Sequence, residues 1–171
     1  MPFALLHGEA LVAVAAWAAG EAGVELLDFD ATWAQVQETA RPLVLHDPLC
    51  PMTPVPFITE TVRRAVEGDA VVVAVHPVTD TVKSVEVGPD GPVVGATLDR
   101  ESLWAVTSPV VLSVSVVAAL DDWPDVDDFG ALVSALRSRF PVTFVQAPPL
   151  ARRVEDESAI RLLEAYADEQ A

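Results

Sequence analysis

Small apolar residues run almost without interruption from Glu9 to about Ala22, with no proline and good helix formers, which predicts a buried or half-buried helix ended by Gly23. Leu43-Val44-Leu45 is a short apolar run stopped by His46-Asp47-Pro48, the pattern of a buried parallel strand that delivers polar groups at its carboxyl end. Pro54 to Glu67 predicts a helix with proline near its first turn, and Asp69 to Val75 a β-branched strand, together one strand–helix–strand unit. Thr79 to Val87 alternates polar and apolar residues at period two, and Gly88-Pro89-Asp90-Gly91-Pro92 separates it from Val93 to Leu98, which predicts a β-hairpin arm. Val110 to Leu120 supports two readings, a strand by its valines and a helix by its length. Asp127 to Arg139 predicts a helix, Val142 to Val145 a strand, and Glu155 to Glu169 a closing amphipathic helix with Leu162, Leu163 and Tyr166 near one face. There is no internal repeat, and the proline-rich stretch from Pro42 to Pro56 predicts a long ordered loop. The pattern is that of one α/β domain over residues 1–171.

Composition narrows the function classes. The chain has 171 residues, 51% of them hydrophobic, which is enough to bury a core and excludes global disorder. Ten Lys and Arg stand against 26 Asp and Glu, a formal charge of -16 that repels phosphate backbones and anionic membranes, so no nucleic-acid or membrane partner is expected. The basic residues are nine arginines and the single Lys83. Cys50 is the sole cysteine, which excludes an internal disulfide or a cysteine zinc site and fits a reducing cytosol. The run from Ala10 to Ala19 is too short to span a bilayer and has no Lys or Arg before it, so neither an anchor nor a cleaved signal is predicted, and a cytoplasmic location is expected.

Isolated reactive residues give little. His7, His46 and His76 lack the spacing of a zinc site, and Ser102, Ser113 and Ser115 have no nucleophile-elbow context. Cys50 sits between prolines with no nearby cation to lower its pKa, which reads as a packed thiol. Asp121-Asp122 and Asp125 to Asp128 read as a solvated acidic loop leading into a helix N-terminus. Asp47 suits a cap on a following turn as well as a ligand, and Thr81 and Lys83 suit cross-strand pairing on the hairpin.

Three ordered segments carry a resemblance: Leu45-His46-Asp47-Pro48, then Pro77-Val78-Thr79-Asp80-Thr81-Val82-Lys83, then Leu98-Asp99-Arg100-Glu101-Ser102-Leu103-Trp104-Ala105-Val106-Thr107. In that order they resemble the 2-C-methyl-D-erythritol 4-phosphate cytidylyltransferase family of non-mevalonate isoprenoid synthesis. The resemblance continues through Asp127-Asp128-Phe129-Gly130-Ala131-Leu132-Val133 and Arg153-Val154, covers roughly residue 42 to the end, and extends more weakly to Phe3 to Trp17. It implies a Rossmann-like nucleotidyltransferase sheet with flanking helices and a projecting β-hairpin dimerisation arm at about residues 78–100. The implied chemistry is magnesium-dependent transfer of a cytidylyl group from CTP to a sugar-alcohol phosphate. By matching position, Asp47 would be the magnesium carboxylate, Thr81 and Arg100 would contact the phosphorylated acceptor, and Arg153 would be a basic residue lining the site. The implied partner is a second copy through the arm, or a full-length relative in a heterodimer.

The departures from the family pattern change the expected function. The family opens with a strand and a glycine-rich loop of the type Ala-Ala-Gly-x-Gly-x-Arg-Met, and this chain starts after that point, so an N-terminally truncated sheet is expected. A second family segment, Gly-Gly-x-x-Arg-x-x-Ser-Val, is replaced by the acidic, glycine-free stretch Val24 to Gln35. His46-Asp47-Pro48-Leu49-Cys50-Pro51 lacks the arginine of the family's His-Asp-Ala-Ala-Arg-Pro, and Thr107-Ser108-Pro109-Val110 lacks a glutamine. Transfer at phosphorus needs donors and cations that neutralise charge on the reacting phosphate, and loss of one such donor costs on the order of 10² to 10³ in rate. The expectation is a catalytically silent relative acting as a dimeric interaction or regulatory protein, with no cofactor unless magnesium in an active form. The alternatives are a residual magnesium-dependent transferase and a module that binds a small phosphorylated ligand.

Overall fold

The computed structural model describes residues 1–89 and 91–168. The chain opens with two short strands, β1 (Leu5–Leu6) and β2 (Glu9–Ala10), joined by a tight turn in which His7 and Gly8 both take positive φ, 48° and 86°. The helix predicted from Glu9 therefore begins later, as α1 (Leu11–Glu21), because Glu9 and Ala10 pair with β1. A helix the pattern did not announce follows, α2 (Trp33–Glu38). It starts on a capping box in which the Thr32 side chain accepts from Gln35 N and the Gln35 side chain accepts from Thr32 N. Then come β3 (Leu43–Leu45), α3 (Val55–Gly68) and β4 (Val71–Pro77). Proline in the first turn of α3 fits a position where no N–H partner is needed, and Asp69, in the left-handed region at φ 44°, ends the helix.

The hairpin forms as β5 (Lys83–Gly88) and β6 (Gly91–Thr97), with Val85 opposite Val94 and Val87 opposite Pro92; Asp90 of the expected turn lies outside the described residues. Thr79 to Val82 precede the strand rather than belong to it. The ambiguous stretch resolves into both elements. The strand β7 (Trp104–Leu112) stops at Ser113, whose hydroxyl caps α4 (Val114–Ala119) by accepting from Val116 N. The remaining elements are α5 (Phe129–Arg137), β8 (Val142–Gln146) and α6 (Glu157–Asp168); Glu169 lies outside the described residues.

The main sheet has the order β3-β7-β4-β8. β4 pairs parallel with β8, and β7 runs antiparallel to both β3 and β4. The strand–helix–strand unit β3-α3-β4 thus joins two parallel strands, but β7 sits between them, and among the described residues the neighbour hydrogen-bonded to β3 is this antiparallel strand rather than the parallel one its apolar run predicted. The period-two alternation of these strands feeds two faces. Leu43, Leu45, Val71, Val73, Val75, Val110 and Leu112 pack with residues of α2, α4 and α5, while Val44, Val72 and Val111 pack with Val62 and Ala65 of α3. Each fully buried valine in this core contributes about 1.5–3 kcal/mol. Leu6, Leu11, Val154, Ile160 and Leu163 form a satellite cluster joining the amino-terminal turn and α1 to α6. Among the described residues, no helix is long and apolar enough to cross a membrane.

Candidate functional site

Because β3, β4 and β8 run in one direction and β7 in the other, the carboxyl ends of three strands and the entry to β7 share one edge of the sheet, the position where open α/β sheets hold ligands. His46 and Asp47 leave β3 at this edge. Ser108 of β7 fixes both: its Oγ accepts from Asp47 N at 2.8 Å and lies 2.6 Å from His46 Nδ1. The other ring nitrogen, His46 Nε2, is buried without a hydrogen-bond partner, and burial lowers the pKa of this imidazole while the Asp47 charge opposes the shift.

Asp47 then anchors two segments. Its Oδ1 accepts from Leu49 N at 2.8 Å, closing the turn into Pro48-Leu49-Cys50, and its Oδ2 accepts from Arg153 Nε at 2.7 Å. Val154 N donates to Leu49 O at 2.7 Å beside this pair, so the loop after β3 and the segment before α6 are tied side by side. Thr107 adds a third tie by donating to Ala151 O at 3.1 Å. Cys50 is fully buried against Thr107, and burial pushes its thiol up to about 11, which removes it as a nucleophile near neutral pH.

A cleft of about 650 Å³ opens between this pair and the start of α5. Asp47 and Arg153 form part of its lining, and Asp127, Asp128, Phe129 and Gly130 another part. Asp128 Oδ1 caps α5 by accepting from Gly130 N at 2.8 Å and Ala131 N at 3.1 Å, so the acidic loop read from the sequence does lead into a helix N-terminus and also lines the cleft. The charged lining is three carboxylates against one guanidinium, and that guanidinium is already paired with Asp47. Each Asp47 oxygen accepts one hydrogen bond and keeps a further lone pair, so Asp47 would hold a magnesium ion only as a single carboxylate beside a nucleotide's own phosphates. Among the described residues no three His, Cys, Asp or Glu side chains cluster as an all-protein metal group.

The structure brings together two of the four residues singled out from sequence, Asp47 and Arg153. Thr81 and Arg100 lie at the base of the hairpin, exposed and outside the cleft lining, where Arg100 Nη1 donates to Thr79 O at 2.8 Å. Sequence reasoning missed Ser108, which organises both His46 and Asp47. Nothing in Thr107-Ser108-Pro109 marks a serine for that role, since its partners are about 60 positions away.

The family model for 2-C-methyl-D-erythritol 4-phosphate cytidylyltransferase matches residues 22–127. A protein of that name from Symbiobacterium thermophilum is 35% identical over 151 residues, covering 83% of this chain and 61% of that protein. One from Corynebacterium glutamicum (strain ATCC 13032) is 31% identical over 165 residues, covering 81% of this chain and 63% of that protein. The chain therefore spans about three fifths of the length of the curated relatives it matches. Among solved structures, the 2-C-methyl-D-erythritol 4-phosphate cytidylyltransferase of Thermus thermophilus superposes with a TM-score of 0.67 at 19% identity, over 98% of this chain and 93% of that one. The 4-diphosphocytidyl-2C-methyl-D-erythritol synthase of Anaerococcus prevotii gives 0.69 at 13% identity over the same shares. These two likenesses establish the nucleotidyltransferase-type α/β fold.

Proposed function

The chain belongs to the 2-C-methyl-D-erythritol 4-phosphate cytidylyltransferase family, and from that premise we propose that it is a catalytically silent member, a cytoplasmic protein that works by association through its hairpin arm. The observation that carries this reading is the charge of the cleft: Asp47, Asp127 and Asp128 face it, and the one guanidinium in the lining, Arg153, is held by Asp47. A triphosphate entering such a cleft meets carboxylates where transfer chemistry needs donors and cations. Loss of the arginine after His46-Asp47 and of the glutamine after Ser108-Pro109 removes further groups of the family pattern from the same edge.

The arm supports the association half of the reading. Val85, Val87, Val93 and Val94 of the hairpin are all exposed, and a two-stranded ribbon with bare valines is marginal in water unless something covers it. A second copy or a full-length relative is the proposed partner.

The test is thermal unfolding with and without CTP plus magnesium, followed by a pyrophosphate-release assay with the methylerythritol phosphate acceptor. A ligand at about 100 times its dissociation constant stabilises by roughly 2.7 kcal/mol, which moves the midpoint of a domain this size by several degrees. No shift and no pyrophosphate is the expected result. A clear shift with pyrophosphate release would overturn the silent reading and return Asp47, Thr81, Arg100 and Arg153 to transferase roles; a shift without release would make the cleft a binding module for phosphorylated ligands.

A further inference from the structure

Charge is not spread evenly along the chain. From Phe129 to Arg153, through α5 and β8, there is no Asp or Glu, while Arg137, Arg139, Arg152 and Arg153 supply four of the ten Lys and Arg. The remainder of the chain sets six Lys and Arg against all 26 Asp and Glu. A basic stretch is thus embedded in an otherwise strongly acidic protein.

The fold gathers part of this charge on aromatic rings around the carboxyl end of α5. The Arg137 guanidinium lies over the Phe144 ring, 6.0 Å from its centroid, and that of Arg139 over Phe140 at 5.3 Å. Phe144 sits opposite Val73 in the parallel pairing of β4 with β8, which puts it on the sheet face that α5 covers, and 46% of its surface is exposed. Arg139 Nη2 donates to Ala119 O at 3.0 Å, which holds its planar group at the end of α4. Among the described residues no carboxylate forms an ion pair with either arginine, although Asp121 and Asp122 follow Ala119 closely. A helix C-terminus favours a cation, which accounts for the charge of Arg137 but not for the exposed ring beneath it.

Arginine and phenylalanine side by side, with carboxylates excluded, is the composition of the centre of a protein–protein contact. Stacking keeps each guanidinium flat and in place, so little freedom is lost when it takes a carboxylate by two parallel hydrogen bonds. The charge of the face selects an acidic occupant. A nucleic-acid backbone would meet the negative field of the whole chain, whereas a short segment with a few carboxylates meets only this face. A second copy in a two-fold contact would set these arginines against themselves.

We propose that the carboxyl end of α5 and the adjoining part of β8 dock an acidic segment of a partner protein, whose Asp or Glu side chains meet Arg137 and Arg139 and whose apolar side chain covers Phe144. Phe129 and Gly130, at the other end of α5, line the Asp47 cleft, about 12 Å from Arg137 at 1.5 Å per helical residue. The hairpin arm contributes nothing to this face, so its fate depends neither on CTP binding nor on association through the arm.

The probe is a short capped peptide that alternates glutamate and valine, with a glutamine-for-glutamate version as control, titrated into the isotope-labelled chain. Saturable binding is expected, with the largest shifts at the Phe144 ring and the Arg137 and Arg139 side chains, the glutamine version at least tenfold weaker, and affinity falling as salt is raised. Arg137→Gln and Arg139→Gln, both at exposed positions and made together, should keep the fold and weaken the glutamate peptide at least tenfold. Arg137→Lys should retain part of the affinity, because the charge stays while the flat stacking group is lost. Absence of binding, equal binding of the two peptides, or parent-like binding by the double variant would overturn the proposal. Self-association without peptide that Arg137→Gln abolishes would overturn it in favour of a second copy, and tighter binding of a single-stranded oligonucleotide at the same residues in favour of a phosphate backbone.

Discussion

Asp47 Oδ2 accepts from Arg153 Nε at 2.7 Å across 106 positions of sequence, and this pair decides the polarity of the cleft. In Asp47→Asn the carboxamide nitrogen cannot accept from a guanidinium, so Arg153 is released toward the cleft and one negative charge is lost. The expected outcome is a several-fold gain in affinity for CTP or inorganic phosphate by calorimetry; a fall in affinity for magnesium-CTP would instead identify Asp47 as a metal ligand. The stability cost of Asp47→Asn should stay under about 1 kcal/mol, because Arg153 is half exposed and water screens the pair. Asp47→Ala should cost about 1–2 kcal/mol, since Leu49 N also loses its acceptor.

Ser108 is the group on which this edge turns, and it is completely buried. In Ser108→Ala, Asp47 N and His46 Nδ1 lose their partner together, with an expected destabilisation of roughly 2–4 kcal/mol in urea unfolding. His46 adds a pH dependence. Burial holds its pKa below the ordinary 6.5, so the unfolded chain binds the proton first, and the stability this residue contributes is present above about pH 6.5 and lost as pH falls below it. His46→Gln should flatten the acid side of the stability profile relative to the parent protein, and identical slopes for the two proteins would remove His46 as the cause.

The difference between what the sequence discloses and what it conceals follows from range. Helices α3 and α5 and strand β4 are legible because their signals are local: proline in a first turn, a capping aspartate, a run of valines. The capping box Thr32-Trp33-Ala34-Gln35 is equally local, but the six residues of α2 are too few for an apolar period to reinforce it. Insertion of β7 between β3 and β4 has no local signal, because a three-residue apolar run reads alike beside a parallel or an antiparallel neighbour. The site divides in the same way. Asp47 and Arg153 stand out by pattern, whereas their pairing and the organising role of Ser108 depend on contacts between distant positions.

Cys50 offers a probe of opening at this edge. Its thiol is fully buried and raised from 9.0 to about 11, so alkylation by iodoacetamide near neutral pH should proceed only through unfolding or local opening, with a rate that rises in step with added urea. The linkage has the opposite sense to that of His46. Above about pH 9 the unfolded thiol ionises while the folded one does not, so stability should fall as pH rises from 9 toward 11. In Cys50→Ala that part of the alkaline loss should disappear. Rapid stoichiometric labelling of the native protein at neutral pH would contradict the burial.

Hairpin association has the sharpest geometric test. Register places Val85 opposite Val94 and Val87 opposite Pro92, so period-two alternation gathers these residues on one face of the ribbon, while Glu86 and Val93 share the other. Val87 is 85% exposed in the single chain, and the proposed partner would cover it together with the rest of this apolar face. The purified protein should therefore run as a dimer at micromolar concentration, with slow amide exchange in the hairpin. Val87→Lys together with Val94→Lys should give a monomer whose hairpin exchanges rapidly while β4 stays protected, because neither valine contributes to the main core. A parent protein that sediments as a monomer at that concentration would show that the exposed valines serve some purpose other than self-association.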